Sequence, residues 1–494
     1  MLELLKKQAN QTFTLNGAVT NLSSLNDCLD LFYIAGASRN CTEEAVENAV
    51  IRAYVENSEL ALRTIFFARD VRGGMGERRF FRLAVKALAK HDPEQVCRLV
   101  PLIAEYGRYD DMLALLRTEC CGSVVAEVAE QLAADEAAMS SGRPVSLLAK
   151  WLPSANASAE MTRRNGRYLA RKLGLTEAVY RKKLTALRKH IGIIEDKLRT
   201  RDYTFDYEKQ TAGSMLKYRN AFITNDRERY MMYLEEVKNG SKKLHTDVLY
   251  PYEIVRRCFD SRLRTNKCDR KALDVTWRKL PIYGDGCENA LAVVDGSGSM
   301  TWNGFGKVRP LDVAISLGIY FAEHNKGAFG GHFITFSRRP RLVEVKGKDI
   351  YDKVRYVSQY NECANTNIEA TFRLLLKTAV ENGLKQQDMP QKLYIISDME
   401  FDVCAEGGNS KSMFDAMKAL YAKNGYKLPE IVFWNVNALT RNVPVTVNET
   451  GCALVSGFTP KLFDIVTGSD LEPMKIMLKA VMNERYDPVG EAVC

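Results

Sequence analysis

The sequence predicts two modules of different architecture: an all-α module of stacked helical repeats over residues 1–285, and an α/β module with a doubly wound parallel sheet over residues 286–494. Two observations support this fold class. Apolar residues recur at three- and four-residue spacing up to about residue 285, which is typical of amphipathic helices. In the second module, short apolar strands alternate with helical segments, which is typical of βαβ units.

The first module contains a long succession of predicted helices. In each of them the apolar side chains share one face, and the loops between helices are short. The alternation typical of half-buried strands is scarce. Successive helices with short loops favour a stacked helical-repeat fold, although the sequence contains no strict repeat. The clearest helical segments are 25–36, 43–70, 78–92, 96–119, 123–139 and 229–240.

The second module contains five predicted strands with helices between and after them. Apolar strands separated by helices of about 10–15 residues indicate a parallel sheet that is covered on both faces. Ligands of such sheets bind beyond the carboxyl ends of the strands. The predicted strands are ALAVVD (290–295), GHFITFS (331–337), KLYIISD (392–398), EIVFWNV (430–436) and ALVSG (453–457). The predicted helices are 311–324, 368–383, 413–425 and 472–484.

The composition is typical of a globular protein with reduced cysteines. Apolar residues make up 46% of the 494 residues and charged residues 27%, which suffices for a core and a charged surface. No apolar run approaches the roughly 20 residues that span a membrane, and the N-terminal stretch lacks the apolar segment of a signal peptide. The 12 cysteines show neither CxxC pairs nor zinc-type spacing with histidine. We therefore expect a cytoplasmic protein without membrane contact.

Positive charge is concentrated in one segment, residues 163–189. It contains ten basic residues and one acidic residue, Glu177, so its excess of nine equals the formal net charge of +9 of the whole chain. Such an excess attracts polyanions, and phosphate backbones are the commonest ones in cells. A basic helix face that meets only water is the alternative interpretation. The basic residues are Arg163, Arg164, Arg167, Arg171, Lys172, Arg181, Lys182, Lys183, Arg188 and Lys189.

Oxygen-bearing side chains follow the predicted strands of the second module. The stretch LAVVDGSGSM (291–300) ends an apolar strand on a carboxylate and continues with two hydroxyls, and its glycines permit tight turns. A second aspartate ends a later strand, and a threonine lies in a loop before a helix. Oxygens from three strand-end loops suit Mg²⁺ or Mn²⁺. The five predicted ligands are Asp295, Ser297, Ser299, Thr366 and Asp398.

This pattern resembles the metal-ion-dependent adhesion site of von Willebrand factor A domains. The resemblance covers about residues 286–494 and rests on the DGSGS pentapeptide, the threonine loop and the later aspartate, in that order. It implies that the five residues hold a divalent cation, some of them through water, and that a partner's carboxylate often completes the coordination. Asn367 departs from the pattern, because related chains often carry an aspartate there. A loop network in which Asp295 and Asp398 accept backbone N–H bonds without a metal is the alternative.

The first module resembles the TROVE module of Ro-type RNA-binding proteins, in which an A domain also follows the helices. ALRTIFFARDVRGGMGERRFFR (61–82) and VPLIAEYGRYDDMLALL (100–116) carry this resemblance. The likeness is closer still to an uncharacterised bacterial and viral family, domain of unknown function 2828. The resemblance to Ro-type proteins implies HEAT-like repeats that form a ring, with structured RNA on the outer surface and single-stranded RNA ends in the central hole. The stretches shared with that family are AKWLPSANAS (149–158), YRKKLTALRK (180–189) and VLYPYEIV (248–255).

Three further arginines are candidate RNA contacts. Arg72 is the second residue of the glycine-rich stretch VRGGMGE (71–77), and Arg78 directly follows this stretch. The stretch either offers backbone N–H donors to a phosphate or is a simple helix–helix turn. Arg108 lies between Tyr106 and Tyr109, which offer stacking surfaces, although core packing is the stronger interpretation of the tyrosines. The sequence contains no RNP, zinc-knuckle or KH motif, so base-specific reading of RNA is not predicted.

We predict a binding protein and not an enzyme. The sequence contains no phosphate-binding loop, dinucleotide fingerprint, HExxH motif or nucleophile elbow. Metal-assisted hydrolysis is an alternative that no nearby general base supports. We expect a monomer that binds RNA on its basic helical surface and a protein partner's carboxylate at its divalent cation. The alternative function is a metal-dependent protein scaffold that does not bind RNA.

Overall fold

The structure of the protein is a computed structural model that describes residues 1, 9–284, 289–302, 308–336, 339–360, 367–402, 413–468 and 471–493. The predicted fold class, a helical module followed by an α/β module with a mainly parallel sheet, is confirmed. In the part of the chain that the structure describes, no helix is long and apolar enough to cross a membrane.

The first module consists of helices joined by short turns. Several helices begin at a side chain that accepts a hydrogen bond from the first turn, as Asn26, Thr42 and Thr176 do, because the first N–H groups of a helix have no partner within it. The helices are α1 Asp27–Ala35, α2 Glu43–Glu56, α3 Ser58–Arg69, α4 Arg78–His91, α5 Pro93–Leu99, α6 Ile103–Tyr106, α7 Cys121–Ser140, α8 Leu148–Trp151, α9 Glu160–Lys172, α10 Glu177–Ile191, α11 Ile194–Arg199, α12 Ala212–Asn225, α13 Arg227–Lys238, α14 Pro251–Cys258 and α15 Lys267–Arg278.

The short strands β1 Gln11–Phe13 and β2 Val19–Asn21 precede these helices and form a hairpin that the sequence did not predict. The hairpin packs on the second module, where the Thr14 hydroxyl donates to the Phe401 carbonyl at 2.6 Å. The Asn21 N–H donates to the Val443 carbonyl at 3.1 Å. Three-residue strands are too short to show a period, and their stability comes from partners about 400 residues away in the chain.

The second module is built on a six-stranded sheet in the order β5-β4-β3-β6-β7-β8, in which only β5 is antiparallel to its neighbour. Every residue of β3 and β6 is buried, which explains their continuous apolar sequences. The short edge strand β5 was not predicted. The strands are β3 Ala290–Asp295, β4 His332–Phe336, β5 Leu342–Glu344, β6 Lys392–Ser397, β7 Glu430–Asn435 and β8 Cys452–Ser456. The helices are α16 Pro310–His324, α17 Ile350–Val357, α18 Ile368–Glu381, α19 Met413–Lys423, α20 Leu462–Val466, α21 Pro473–Val481 and α22 Asp487–Glu491.

The α/β module contacts both ends of the helical succession. At the first end, α1 and α3 pack against β8, α21 and α22, and the Ala438 N–H donates to the Ala37 carbonyl at 3.1 Å. At the last end, α14 and α15 pack against α16 and α17, and the Trp277 indole N–H donates to the Glu323 carboxylate at 2.8 Å. Because both ends rest on one module, the helices are held in a closed arrangement.

A buried carboxylate, Asp70, fixes the C-terminal helices to the first module. It accepts hydrogen bonds from the N–H groups of Arg72 (2.9 Å) and Gly73 (3.0 Å), from the Tyr486 hydroxyl (3.0 Å) and from the Arg485 guanidinium (2.9 Å). Burial alone would raise the pKa of Asp70, but Arg485 and the other donors hold this pKa below its usual range. We call Asp70, Arg485 and Tyr486 the Asp70 clasp.

Candidate functional site

The predicted metal ligands that the structure describes lie at the carboxyl edge of the sheet. Strand β3 lies between β4 and β6, so the chain connections leave it in both directions and open a crevice at its carboxyl end. Asp295 is the last residue of β3, and Asp398 directly follows β6. The register pairs Val294 with Ile396, which places the two aspartates at the same edge.

Asp295 is fully buried, and protein donors hold both of its carboxylate oxygens. The Ser297 N–H donates to Oδ1 at 2.8 Å, and the Ser397 hydroxyl donates to Oδ2 at 2.6 Å. The hydroxyl oxygens of Ser297 and Ser299 lie 3.0 Å apart. The loop after β3 therefore brings these three predicted ligands together.

Among the described residues, Asp398 has one carboxylate oxygen that accepts no hydrogen bond. Its Oδ1 accepts the Glu400 N–H at 3.2 Å, whereas its buried Oδ2 has no hydrogen-bond partner within the described ranges. Met399 has a φ of 65°, in the left-handed region, so the chain turns sharply directly after Asp398. A buried carboxylate oxygen without a partner is costly, and a bound cation would satisfy it.

The electrostatics of the two aspartates favour a bound cation. Burial raises the pKa of Asp295 and of Asp398, and the charge of Asp398 adds to the rise at Asp295. The residues that the structure describes contain no cluster of three or more His, Cys, Asp or Glu side chains that could hold a metal. Hydroxyl or water oxygens would complete the coordination of a cation bound by the two aspartates. Two carboxylates with two hydroxyls are a donor set that fits Mg²⁺ or Mn²⁺.

Thr366, the fifth predicted ligand, lies outside the described residues. Asn367, which departs from the A-domain pattern, caps α18, since its side-chain oxygen accepts the Ala370 N–H at 2.9 Å. The sequence-based interpretation missed Ser397, which orients Asp295, and Glu400. The signal that would have found them is their position in the stretch IISDME at the end of β6.

Glu400 connects the candidate metal centre with the N-terminal hairpin. The Leu15 N–H donates to its Oε2 at 2.7 Å, and the Thr440 hydroxyl donates to its Oε1 at 2.6 Å. Burial raises the pKa of this carboxyl group. Both of its oxygens thus have protein donors, which hold the hairpin against the loop after β6.

The basic segment 163–189 forms α9, α10 and the turn between them, and the structure divides its cations into two groups. Some bind protein groups. Arg188 donates to the Ala149 and Leu152 carbonyls at 2.8 Å each. Arg163 and Arg171 donate to the carbonyls of Ala157 and Arg167, respectively. Arg164, Arg167 and Lys183 form ion pairs with Glu160, Glu177 and Glu136, respectively. The Lys172 ammonium group lies over the Tyr168 ring.

The side chains of the second group are exposed and make no hydrogen bond or ion pair with any described residue. It consists of Arg181, Lys182 and Lys189 on α10. These side chains line a groove of about 440 Å³ together with Ser154, Asn156, Thr185 and Arg188, and we call it the α10 groove. Its lining holds four cations and, among the described residues, no carboxylate. Such a groove is suited to a polyanion.

A larger cavity of about 970 Å³, which we call the inner cavity, lies between helices from the whole first module. Its lining includes parts of α3, α4, α8, α10, α11, α12 and α14, so these helices surround it. The cavity adjoins the α10 groove, since Thr185 and Arg188 line both. Six cations (Arg69, Arg78, Arg108, Lys150, Arg188 and Lys217) and three carboxylates (Glu195, Asp196 and Glu253) line it.

Arg108 and Arg78, both predicted RNA contacts, line this cavity. The Arg108 guanidinium lies 3.7 Å from the centroid of the Trp151 ring and donates to Asp110 at 2.9 Å. Tyr106 is buried and stacks on Tyr486, which confirms core packing for that tyrosine. Arg78 is exposed, and no hydrogen bond or ion pair joins it to another described residue.

Arg72 and the N–H groups of the glycine-rich turn are bound to protein groups, although the Arg72 side chain is exposed. Arg72 donates to the Glu105 carbonyl at 2.7 Å. The N–H groups of Gly73, Met75 and Gly76 donate to the Asp70 carboxylate, the Phe67 carbonyl and the Asp70 carbonyl. These donors are therefore not free for a phosphate, and the helix–helix turn is the alternative that the contacts support.

Comparison with known families accounts for both parts of the chain. Residues 14–128 and 158–281 match the family described as Domain of unknown function (DUF2828). The helical half of this chain belongs to the DUF2828 family. Residues 289–483 of this DUF2828 protein, which include the candidate metal centre, match a second family, Domain of unknown function (DUF7788).

Two individual proteins are similar over nearly the whole DUF2828 chain. Uncharacterized protein L728 of Acanthamoeba polyphaga mimivirus is 27% identical over 524 residues, which cover 97% of this chain and 89% of the viral protein. The crystal structure of the Deinococcus radiodurans RO (RSR) protein has a TM-score of 0.50 and 13% identity, over 93% of this chain and 100% of the Ro chain. The predicted Ro-like fold and the predicted likeness to the DUF2828 family are thereby confirmed.

Proposed function

We propose that this protein binds RNA, with a strand lying in the α10 groove and entering the inner cavity. The observation that carries the proposal is that the two basic hollows adjoin, since Thr185 and Arg188 line both. Phosphates of a strand in the groove would meet Arg181, Lys182 and Lys189, whose charges have no partner in the described part of the protein. Such contacts are independent of base sequence and sensitive to salt.

The inner cavity would hold a single strand and not a duplex. Helices line this half-open hollow of about 970 Å³, and Trp151 lies in its wall under the Arg108 guanidinium. Aromatic and guanidinium planes are the surfaces on which unpaired bases stack. The Ro-like fold supports this assignment, because a closed helical arrangement gives a strand one defined passage.

The experiment compares RNA recovered from the wild type and from Arg181→Ala/Lys182→Ala/Lys189→Ala. Both proteins are purified at low salt, half of each is treated with RNase, and the remaining nucleic acid is sequenced. Lys209→Ala/Arg227→Ala/Lys423→Ala is the control with the same loss of charge, because these cations are exposed and line neither hollow. We expect loss of RNA in the first variant and retention in the control. Equal RNA in both variants would contradict the proposal.

A second proposed function is metal-dependent binding of a protein partner at the edge of the sheet, without catalysis. The unpartnered Asp398 Oδ2 favours it, because that oxygen, Asp295 and the two serine hydroxyls form a donor set for Mg²⁺ or Mn²⁺. A partner carboxylate would complete the coordination. The test is capture of a partner by the RNase-treated protein with and without EDTA. Capture that depends on the metal and is lost in Asp398→Asn would support it, and equal capture in all samples would contradict it.

A further inference from the structure

A third basic hollow continues from the inner cavity along helix α4. Its volume is about 730 Å³, and we call it the α4 groove. It shares Gly76, Arg78, Tyr250 and Glu253 with the inner cavity, so the two hollows adjoin there. Val308 of the α/β module also lines it. The inner cavity therefore has the α10 groove and the α4 groove as its neighbours.

Helix α4 presents a row of cations to this groove. Arg78, Arg82 and Lys86 are spaced four residues apart and therefore share one face of the helix. Arg78 and Lys86 are about 12 Å apart along the axis at 1.5 Å per residue. The row therefore runs along the groove, as a track for a chain of phosphates would.

The cations of the α4 groove differ in their partners. Arg39 is held by Glu77, Arg79 by the Ser38 and Cys41 carbonyls, and Arg82 by Asp110 and Asp111. Arg78 and Lys86, in contrast, are exposed and have no such partner in the described part of the chain. The carboxylates Glu43, Glu77 and Glu253 also line the groove. Arg78 and Lys86 are therefore the cations available to a bound anion.

Arg78 lines both the inner cavity and the α4 groove. Its side chain keeps an exposed surface but is partly surrounded by protein, and this partial burial together with the positive charge of Arg108 lowers the pKa of Arg78 to about 10. The nearby Asp110 and Asp111 offset the repulsion between the two guanidinium groups in part. An anionic group beside Arg78 would relieve this repulsion further.

We propose that the α4 groove binds the backbone phosphates of a single-stranded RNA that has passed through the inner cavity. This inference rests on the proposed RNA-binding function. It adds the direction in which the RNA strand runs and the length of RNA that the protein holds. The strand would run from the α10 groove to the side of the first module that faces the α/β module. RNA long enough to fill all three hollows would bind more tightly than RNA that fills two.

The experiment uses the full chain and fluorescein-labelled oligouridylates of increasing length, with dissociation constants measured at several salt concentrations. The test variant is Lys86→Ala, because Lys86 lines the α4 groove alone. Arg227→Ala is the control, since Arg227 is exposed on α13 and lines none of the three hollows. Far-UV circular dichroism establishes that both variants are folded.

We expect Lys86→Ala to reach its limiting affinity at a shorter oligonucleotide than the wild type. For long oligonucleotides, loss of one phosphate contact lowers the slope of log affinity against log salt by about 0.7. For short oligonucleotides Lys86→Ala should match the wild type. If the wild type binds RNA and Lys86→Ala equals Arg227→Ala in slope and limiting length, the inference fails and the proposed function stands. If the wild type binds no oligonucleotide, both fail.

Discussion

The candidate metal centre and the basic segment 163–189 hold their charges in opposite ways. At the metal centre two carboxylates are buried at a fixed edge of the sheet, where strand register and backbone N–H groups determine their positions. In the basic segment the charges lie on helix surfaces, and more than half of them are bound to carbonyls, carboxylates or rings. Sheet topology determines where the charges of the first region lie. In the second region, the contacts of each side chain determine which charges are available to a ligand.

This difference determines how well each region can be predicted from sequence. Strand ends in a doubly wound sheet converge, so a strand-end aspartate is a reliable indicator of position. A run of lysines and arginines gives a local excess of charge, but not the identity of the free cations. Lys182 and Lys183 are neighbours in sequence, and only the second is paired with a carboxylate, Glu136, among the described residues.

The largest effect is expected at the Asp70 clasp, which joins the two modules that carry these two regions. Removing one partner of a buried ion pair costs about 3–5 kcal/mol, and since Arg485 is partly exposed we expect about 3 kcal/mol for Asp70→Asn. Urea unfolding at pH 7 measures this. Glu235→Gln, which breaks an exposed pair with Lys271, is the control and should cost far less, because water screens exposed ion pairs. Equal losses in the two variants would contradict a structural role for the clasp.

The clasp also predicts a pH dependence. The pKa of Asp70 is lower in the folded protein than in the unfolded chain, so its contribution is present above the unfolded pKa and is lost as the pH falls through the folded pKa. The stability difference between wild type and Asp70→Asn should be full at pH 7 and shrink below about pH 4. A difference that stays constant down to pH 2 would show that the charge of Asp70 is not responsible.

The next effect concerns the metal centre alone. Asp295→Asn removes a carboxylate from the donor set but keeps the volume of the buried side chain. We expect at least a 100-fold loss of Mg²⁺ or Mn²⁺ affinity by isothermal titration calorimetry, because even changes outside the ligand set cost 10–100-fold, as an order of magnitude. RNA affinity should be unchanged, since none of the described residues of the candidate metal centre lines the three hollows. Unchanged metal binding would favour the alternative of a hydrogen-bonded loop network.

A smaller effect is expected at Ser397, which holds the Asp295 carboxylate through Oδ2. Ser397→Ala should lower metal affinity by about 10–100-fold, because partners that orient a ligand contribute in this range. The same titration measures it, with Ser456→Ala, a buried serine at the end of β8, as the control. If Ser397→Ala and the control bind metal equally well, Ser397 does not position Asp295.

The smallest effect distinguishes two neighbouring lysines. Lys182→Ala should reduce the salt slope of RNA binding by about 0.7, since its charge is available to a phosphate. Lys183→Ala should reduce it less, because Glu136 already binds that ammonium group. Fluorescence anisotropy at 50–200 mM salt, as a rough range, resolves the two slopes. A larger change for Lys183 would reverse the assignment of free and bound cations.

Sequence reasoning succeeded where a pattern is local. Five strands, the helices that cover them and the placement of Asp295 and Asp398 at strand ends agree with the structure, because burial on both faces gives continuous apolar runs. It missed the hairpin β1–β2, the edge strand β5, and Ser397 and Glu400. These elements are short or depend on residues distant in the chain, such as the Leu15 N–H that meets Glu400. Their stability has no local periodic signal.

The sequence by itself determined the order of the modules, the Ro-like and DUF2828 family likeness, the strand-end aspartates and the excess of positive charge. The tertiary structure alone decided that the α/β module holds both ends of the helical succession, that Asp398 keeps an oxygen without a hydrogen-bond partner among the described residues, and that three basic hollows adjoin. The physical reason is that a helix or a strand follows from neighbouring residues. A cavity, a free charge or an unpartnered oxygen, in contrast, exists only after all elements have packed and taken their hydrogen-bond partners.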